Sequence, residues 1–291
     1  MIKPSERLLH VHYLFANHWK TLLRLLQIDP SLVNLYSYQP SDFETLLHLT
    51  PSKALRLFTH LRTVSISFIL QELQRKNVFY VTIFDEDYPA LLKEIADPPF
   101  VLYGKGERSL LKESRKLAVV GARNPTAYGN TSVHVLLQEL LQQNWIIVSG
   151  LAKGIDTTAH EAAIQYKGKT IAVLGGGFDY IYPKENEYLA QTLKNEHLLL
   201  TEYPPHYRSQ KWYFPKRNRI ISGLSLGVLV VEGKERSGSL ITADCAIDQN
   251  REVFAVPGPI TSLLSVGTNR LIQQGAKLVL CAGDIEEELK K

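Results

Sequence analysis

The chain has 291 residues, 45% of them apolar, which is enough to bury a full core and to form two domains. A formal charge of +4, from 33 Lys and Arg against 29 Asp and Glu, excludes a generally basic nucleic-acid coat, so any phosphate contact has to come from local clustering. Cys245 and Cys281 are far apart and form no CxxC pattern, which excludes a disulfide framework and a zinc site and fits a reducing cytoplasm.

The N-terminus, MIKPSERLLHVHYLF, has no apolar core followed by a small-residue cleavage site. No apolar run reaches about 18 residues, so no membrane span is expected. The first glycine is Gly104 and all 18 glycines lie at or after it, which marks a change of composition. Residues 1–76 read as a small helical domain. Its apolar positions are Leu8, Leu9, Leu14 and Phe15, then Leu22, Leu23, Leu25 and Leu26, then Phe43, Leu46, Leu47 and Leu49. Breaks fall at Asp29-Pro30-Ser31, Gln39-Pro40-Ser41-Asp42 and Thr50-Pro51-Ser52, where proline and a nearby cap suit short helix starts. Such a bundle is a scaffold or docking module. Residues 77–115 form a bridge: a strand-like VFYVTIF, the acidic Asp85-Glu86-Asp87, then DPPFVLYG.

Residues 116–291 change rhythm. Apolar runs recur at 117–120, 145–148, 170–174, 198–200, 228–231, 253–256 and 278–280, most of them followed by a Gly-rich loop and a helical pattern. Strands apolar on both sides, alternating with helices, predict an α/β fold: an extended Rossmann-like, doubly wound, mostly parallel sheet. Ligands of such a sheet sit outside the carboxyl ends of its strands.

The loops at those ends are therefore read as one site. The first holds Gly121, Ala122 and Arg123; the second Ser149, Gly150, Lys153, Gly154 and Asp156; the third Gly175, Gly176 and Gly177, then Tyr182, Pro183, Lys184 and Asn186. After the strand ending at Val231, Ser237, Gly238 and Ser239 open a helix. Free N–H groups and the helix dipole suit these turns to phosphate, and Arg123, Lys153 and Lys184 add mobile positive charge. Beside them, residues 203–219 (YPPHYRSQKWYFPKRNR) hold five Lys or Arg, five aromatics and no acid. Rings that stack on bases among cations that neutralise phosphates are what an unpaired strand requires. The other reading is a solvated basic loop anchored by Trp212, Tyr213 and Phe214.

Several ligands do not fit. Arg123 stands where a dinucleotide fingerprint needs its second glycine. Gly168-Lys169-Thr170 resembles a P-loop tail, but Ala163 replaces the first glycine and the segment enters a strand. Gly223-Leu224-Ser225-Leu226-Gly227 matches G-x-S-x-G, yet its serine precedes a strand rather than following one. His160-Glu161 lacks a second zincin histidine and reads as a helix-surface pair. Asp156, Asp179, Glu202 and Glu232 lie near strand ends, where caps compete with acid–base roles, and no nucleophile–base–orienter set can be assembled. No metal, cofactor or catalytic residue is expected.

The strings VGARNPTAYG, SGLAKGIDTTAH, LGGGFDYIYPKEN, FPKRNRIISGLS, SGSLITADCA and VFAVPGPI, with GTNRLIQQGA beyond them, resemble the DNA-processing protein A (DprA/Smf) family of bacteria. The resemblance runs from about Tyr88 to Ala276. It implies single-stranded DNA binding by the Rossmann-like domain, loading of the RecA recombinase during natural transformation, and a homodimer. It matches the family's strand-contacting positions to Arg123 and Lys184, with FPKRNR nearby, and the N-terminal helices to a sterile-alpha-motif-like domain. In this reading phosphates lie on Arg123, Lys153, Lys184, Arg217 and Arg219, and Phe214 or Trp212 stacks on a base. Arg217 and Arg219 have a structural alternative, one of them pairing with a strand-end carboxylate. Leu271–Leu280 with Val256-Pro257 is apolar enough for a dimer surface, and equally suits an edge strand and its helix. The rival functions are a nucleotide or phosphoribosyl hydrolase, whose P-G-G-x-G-T loop is missing, and a protein-docking adaptor.

Overall fold

In a computed structural model that describes residues 2–16 and 18–289, proline opens three of the N-terminal helices. They are α1 (Pro4–Phe15), α2 (Trp19–Ile28), α3 (Pro40–Leu47), α4 (Pro51–Thr63) and α5 (Ile66–Arg75). Pro4, Pro40 and Pro51 take first helical positions, where a missing N–H costs nothing. Glu6 and Asp42 reach back to accept from the Lys3 and Gln39 backbone N–H at 2.8 and 2.7 Å, closing the first turns of α1 and α3.

Two strands follow, β1 (Phe79–Thr82) and, past the one-turn α6 (Ala90–Lys93), β2 (Val101–Gly106). Then comes the expected alternation: β3 (Lys116–Val120), α7 (Ala127–Gln142), β4 (Ile146–Ser149), α8 (Ile155–Gln165), β5 (Lys169–Val173), α9 (Glu187–Glu196) and β6 (Leu198–Thr201). It continues through α10 (Tyr213–Gly223), β7 (Gly227–Val230), α11 (Gly238–Asp248), β8 (Glu252–Ala255), α12 (Val266–Gln273), β9 (Lys277–Leu278) and α13 (Ala282–Leu289). Among the described residues these strands form one sheet in the order β1-β2-β6-β5-β4-β3-β7-β8-β9. From β6 to β9 the pairing is parallel, and β2 and β1 extend that edge antiparallel.

Side chains alternate between faces along each strand. Ala118, Val120, Val148, Val228 and Val230 point to one face, beneath Ile220 and Ile221 of α10 and Ala243 and Ala246 of α11. Leu117, Val119, Ile147 and Leu229 point to the other, beneath α7 and α8. The N-terminal helices cover the rest of that second face. Leu8, Leu9 and Val11 share a core with Val101 and Tyr103 of β2 and Leu199 of β6. His12 Nδ1 lies 3.1 Å from the Tyr103 hydroxyl, and Trp19 stacks on Phe100 while donating to the Pro98 carbonyl at 2.9 Å. No helix among the described residues is long and apolar enough to cross a membrane.

One sequence reading changes here and another divides. His160 is not a surface residue: it is fully buried on α8, with Nδ1 2.7 Å from Thr170 Oγ1, and only Glu161 faces solvent. Of the apolar stretch read as a dimer surface or an edge strand, Leu271 and Val256 are buried within their own chain's core, while Leu278 and Leu280 stay exposed on and just past the edge strand β9.

Burial pulls the pKa of both His12 and His160 down from 6.5 to about 3. The unfolded chain binds these protons at a higher pH than the folded one, so their stability contribution is complete above about 6.5 and is lost as pH falls. The loss is about 1.4 kcal/mol per pH unit for each histidine inside that window. Tm should therefore drop between neutral pH and about pH 5. His12→Gln, which still bonds Tyr103 but does not titrate, should show a smaller drop; a drop of unchanged size would remove His12 from this account.

Candidate nucleic-acid interface

β3 has β4 on one side and β7 on the other; the chain runs from β3 through β4 and β5 to β6 and then crosses back over β3 to enter β7. At such a switch point the loops after neighbouring parallel strands part and leave a crevice at their carboxyl ends. The loop after β3 and the start of α11 flank it here. Thr126 caps α7, accepting from Gly129 N–H at 3.2 Å, and is itself held across the gap by Glu232. That carboxylate accepts from the Thr126 N–H at 2.8 Å and from its hydroxyl at 2.6 Å.

The crevice opens into a cavity of about 560 Å³. Gly121, Ala122 and Arg123 form one wall; Ser237, Gly238, Ser239 and Thr242 at the N-terminus of α11 form another. Tyr182, Lys211, Phe214 and Asn218 close the third. A recess of about 60 Å³ adjoins it, adding Gly150, Lys153 and Pro183. Tyr182 and Phe214 face each other with ring centroids 5.3 Å apart and planes inclined at 45°.

The floor is Arg217, 5% exposed. Its Nη1 donates to the Val173 carbonyl at 2.5 Å, while its Nε has no hydrogen-bond partner. Among the described residues no carboxylate lies within 4.0 Å of the guanidinium. Burial pulls its pKa down to about 10, the Asp156 charge opposing, so it remains a cation at neutral pH. A Cβ on Gly150 would overlap this guanidinium, so only glycine lets the loop after β4 pass above it. Buried Asp156 is pushed up by its own desolvation and held back by Arg217 and by the N–H groups of Ala152 and Gly150. A buried cation without a close counter-ion is costly. Arg123, Lys211 and the α11 dipole beside it offer positive potential to an anion, with buried Asp156 the one carboxylate among the described residues of the cavity lining.

The structure brings together Gly121, Arg123, Lys153, Phe214, Arg217, Ser237, Gly238 and Ser239 from the sequence reading. Exposed Lys184 and the turn at Gly154 sit on the same rim but outside both hollows, and Lys153 is paired with Glu185 at 2.6 Å. Gly154 has φ +79° and presses on the Ala122 and Arg123 carbonyls, so it shapes the loop. Gly176 likewise packs on Ser209.

Three assignments are corrected. Ser149 is buried and its hydroxyl donates to the Val119 carbonyl at 2.6 Å. Asn186 is buried, its amide donating to Leu151 O at 2.9 Å and Thr157 Oγ1 at 2.8 Å, which ties two loops together. Arg219 is enclosed by Glu202 and Asp97, each at 2.8 Å, and has nothing left for a phosphate. Glu202, Glu232, Asp156 and Asp179 are each engaged in these internal contacts, Asp179 with Lys76 at 2.5 Å. Tyr182 of the third loop and Lys211 and Asn218 of the basic, aromatic segment line the cavity, although the sequence reading gave none of them a contact role. For Lys211 the signal was its place in the basic, aromatic segment. That segment divides: Tyr203 and Tyr213 are buried and stacked at 4.2 Å, whereas Arg208, Lys211 and Trp212 are exposed.

Fold and cavity together define an extended Rossmann-like protein with an anion-receiving cleft at its switch point. The chain belongs to the DNA recombination-mediator protein A family, whose model matches residues 79–290. It is 52% identical over 221 residues to the DNA processing protein DprA of Bacillus subtilis, covering 76% of this chain and 74% of that one. Against the Streptococcus pneumoniae DprA the identity is 51% over 209 residues, covering 72% and 73%. The X-ray structure of DprA from S. pneumoniae superposes with a TM-score of 0.83 and 40% identity, over 97% of this chain and 95% of that one. DNA processing protein A from Helicobacter pylori, solved for its single-stranded DNA binding mode, superposes with a TM-score of 0.66 and 32% identity, over 72% and 95%.

Removing Arg219 would leave buried Glu202 with only Lys216, at 3.8 Å, as a cation partner. Arg219→Ala should lower stability in urea unfolding by ~3–5 kcal/mol, and adding Glu202→Gln should recover part of that loss. A single variant as stable as the parent would return Arg219 to the list of free cations.

Proposed function

We propose that this protein binds single-stranded DNA at the switch-point cavity and acts on it as a mediator rather than as an enzyme. It shields incoming strands and passes them to the RecA recombinase during natural transformation, in the cytoplasm and as a homodimer. The observation that carries the binding role is Arg217, a buried guanidinium without a close counter-ion, beneath a cavity mouth framed by two aromatic rings. A phosphate completes the charge and a base fits the rings. A non-catalytic role is supported by the carboxylates near the strand ends, each already committed to an N–H, a hydroxyl or a cation. The strand-binding role is further supported by the H. pylori relative. A homodimer is supported by apolar side chains left in solvent beyond β8, Ile260 at 94% and Leu263 at 74% exposed.

Contacts to phosphate and to ring faces carry little sequence information, so affinity should depend weakly on sequence and steeply on salt. In fluorescence-anisotropy titrations, Arg123→Ala and Phe214→Ala should each weaken binding of an oligonucleotide by about tenfold. Unchanged affinity in the double variant would sink the site. Light scattering tests the assembly: Ile260→Asp combined with Leu263→Asp should yield a monomer where the parent chain gives a dimer.

A further inference from the structure

Outside the cavity, on the side towards the N-terminal helices, two loops run together. The loop after β5 and the segment after β6 are joined by Gly177 N–H to Tyr207 O at 2.7 Å and Asp179 N–H to Pro205 O at 3.0 Å. A Cβ on Gly177 would overlap the Pro204 and Pro205 carbonyls, so the approach is as close as backbones allow. From this seam project Tyr180, 41% exposed, and Arg208, with the guanidinium carbon 4.6 Å above the Tyr180 ring centroid. Arg208 has no carboxylate within ion-pair distance among the described residues. The acids nearby are already neutralised: Asp179 by Lys76 at 2.5 Å, and Glu72 by Arg75 at 2.7 Å. The loops are fixed by their backbone bonds, so the exposed pair is not needed to pin them. Two residues on, Tyr182 reaches into the cavity mouth, 57% exposed.

We infer that Tyr180 and Arg208 form a second stacking station for single-stranded DNA, holding a base and its phosphate after the strand leaves the cavity. One short loop thus carries a ring inside the cavity mouth and a ring outside it. An exposed ring backed on one face by a planar cation that has no carboxylate partner offers stacking and charge to a base and its phosphodiester. The station extends the bound strand from the switch point towards α5. It rests on reading the cavity as the strand site, and its test separates the two.

The full chain is titrated with oligothymidylates of about four and about sixteen nucleotides, the first filling the cavity and the second overrunning it. Tyr180→Ala and Arg208→Ala should each weaken the longer strand by about five- to tenfold and leave the shorter within about twofold, which also reports that the variants are folded. Tyr180→Phe should bind as the parent does, since the ring and not the hydroxyl is used. Arg208→Ala should also reduce the salt slope for the longer strand by about one. Unchanged affinity for the longer strand overturns the station. So does an equal loss at both lengths, or a Tyr180→Phe loss matching that of Tyr180→Ala. Arg123→Ala and Phe214→Ala should weaken both lengths. If they weaken neither, the cavity reading fails, and the station is decided by the Tyr180 result alone. Failure of the parent chain to bind either length defeats both.

Discussion

A guanidinium without a close counter-ion lies under the carboxyl edge of a parallel sheet, and the surrounding structure is arranged around it. Arg217 is held from below by the Val173 carbonyl and covered by a glycine that leaves it just enough room. Asp156 supports its charge from a distance without forming an ion pair. Three neighbouring elements add positive potential rather than removing it: the Arg123 loop, Lys211 and the N-terminus of α11. In the folded chain that charge is left for a ligand to complete. A protein selected only for stability would place a carboxylate there, as it does two residues later at Arg219.

The basic, aromatic segment between β6 and α10 serves two ends. Its buried tyrosines stack, Tyr203 on Tyr213, and its exposed His206 sits against Tyr13 of α1 with ring centroids 5.0 Å apart. Its exposed half delivers Arg208, Lys211 and Trp212 to the rim and Phe214 to the cavity. The N-terminal helices therefore buttress the rim, because their core is continuous with the sheet face under the same segment.

The alternation of strand and helix was legible because it is written in period and composition: runs apolar on both faces, glycines at the turns, prolines at helix starts. The loops of the site were legible for the same reason, since parallel strands send their carboxyl ends to one edge. Single side chains were less so. Ser149 and Asn186 lie in the right places in the chain, yet Ser149 is consumed in bonding the neighbouring strand and Asn186 in tying its loop to the segment after β4. Tyr182 and Asn218 line the cavity from segments the sequence singled out, but nothing local distinguished them from their neighbours there. Ile260 and Leu263 lie outside the expected apolar stretch and stand in solvent, while within it Leu271 is buried and Leu280 is exposed.

Arg217 and Arg219 set the boundary between the two kinds of knowledge. The sequence alone determined that a segment rich in cations and aromatics would lie beside the strand-end loops, because charge content and chain order are local properties. It could not say which arginine faces what. Two positions on an α-helix differ by roughly 200° around its axis, so they meet different surroundings. Only the tertiary packing of α10 against the sheet and against Asp97 turned one inward to Glu202 and set the other beneath an open cavity. Burial and partner geometry come from contacts distant in the chain, and these separate a structural arginine from one left for a ligand.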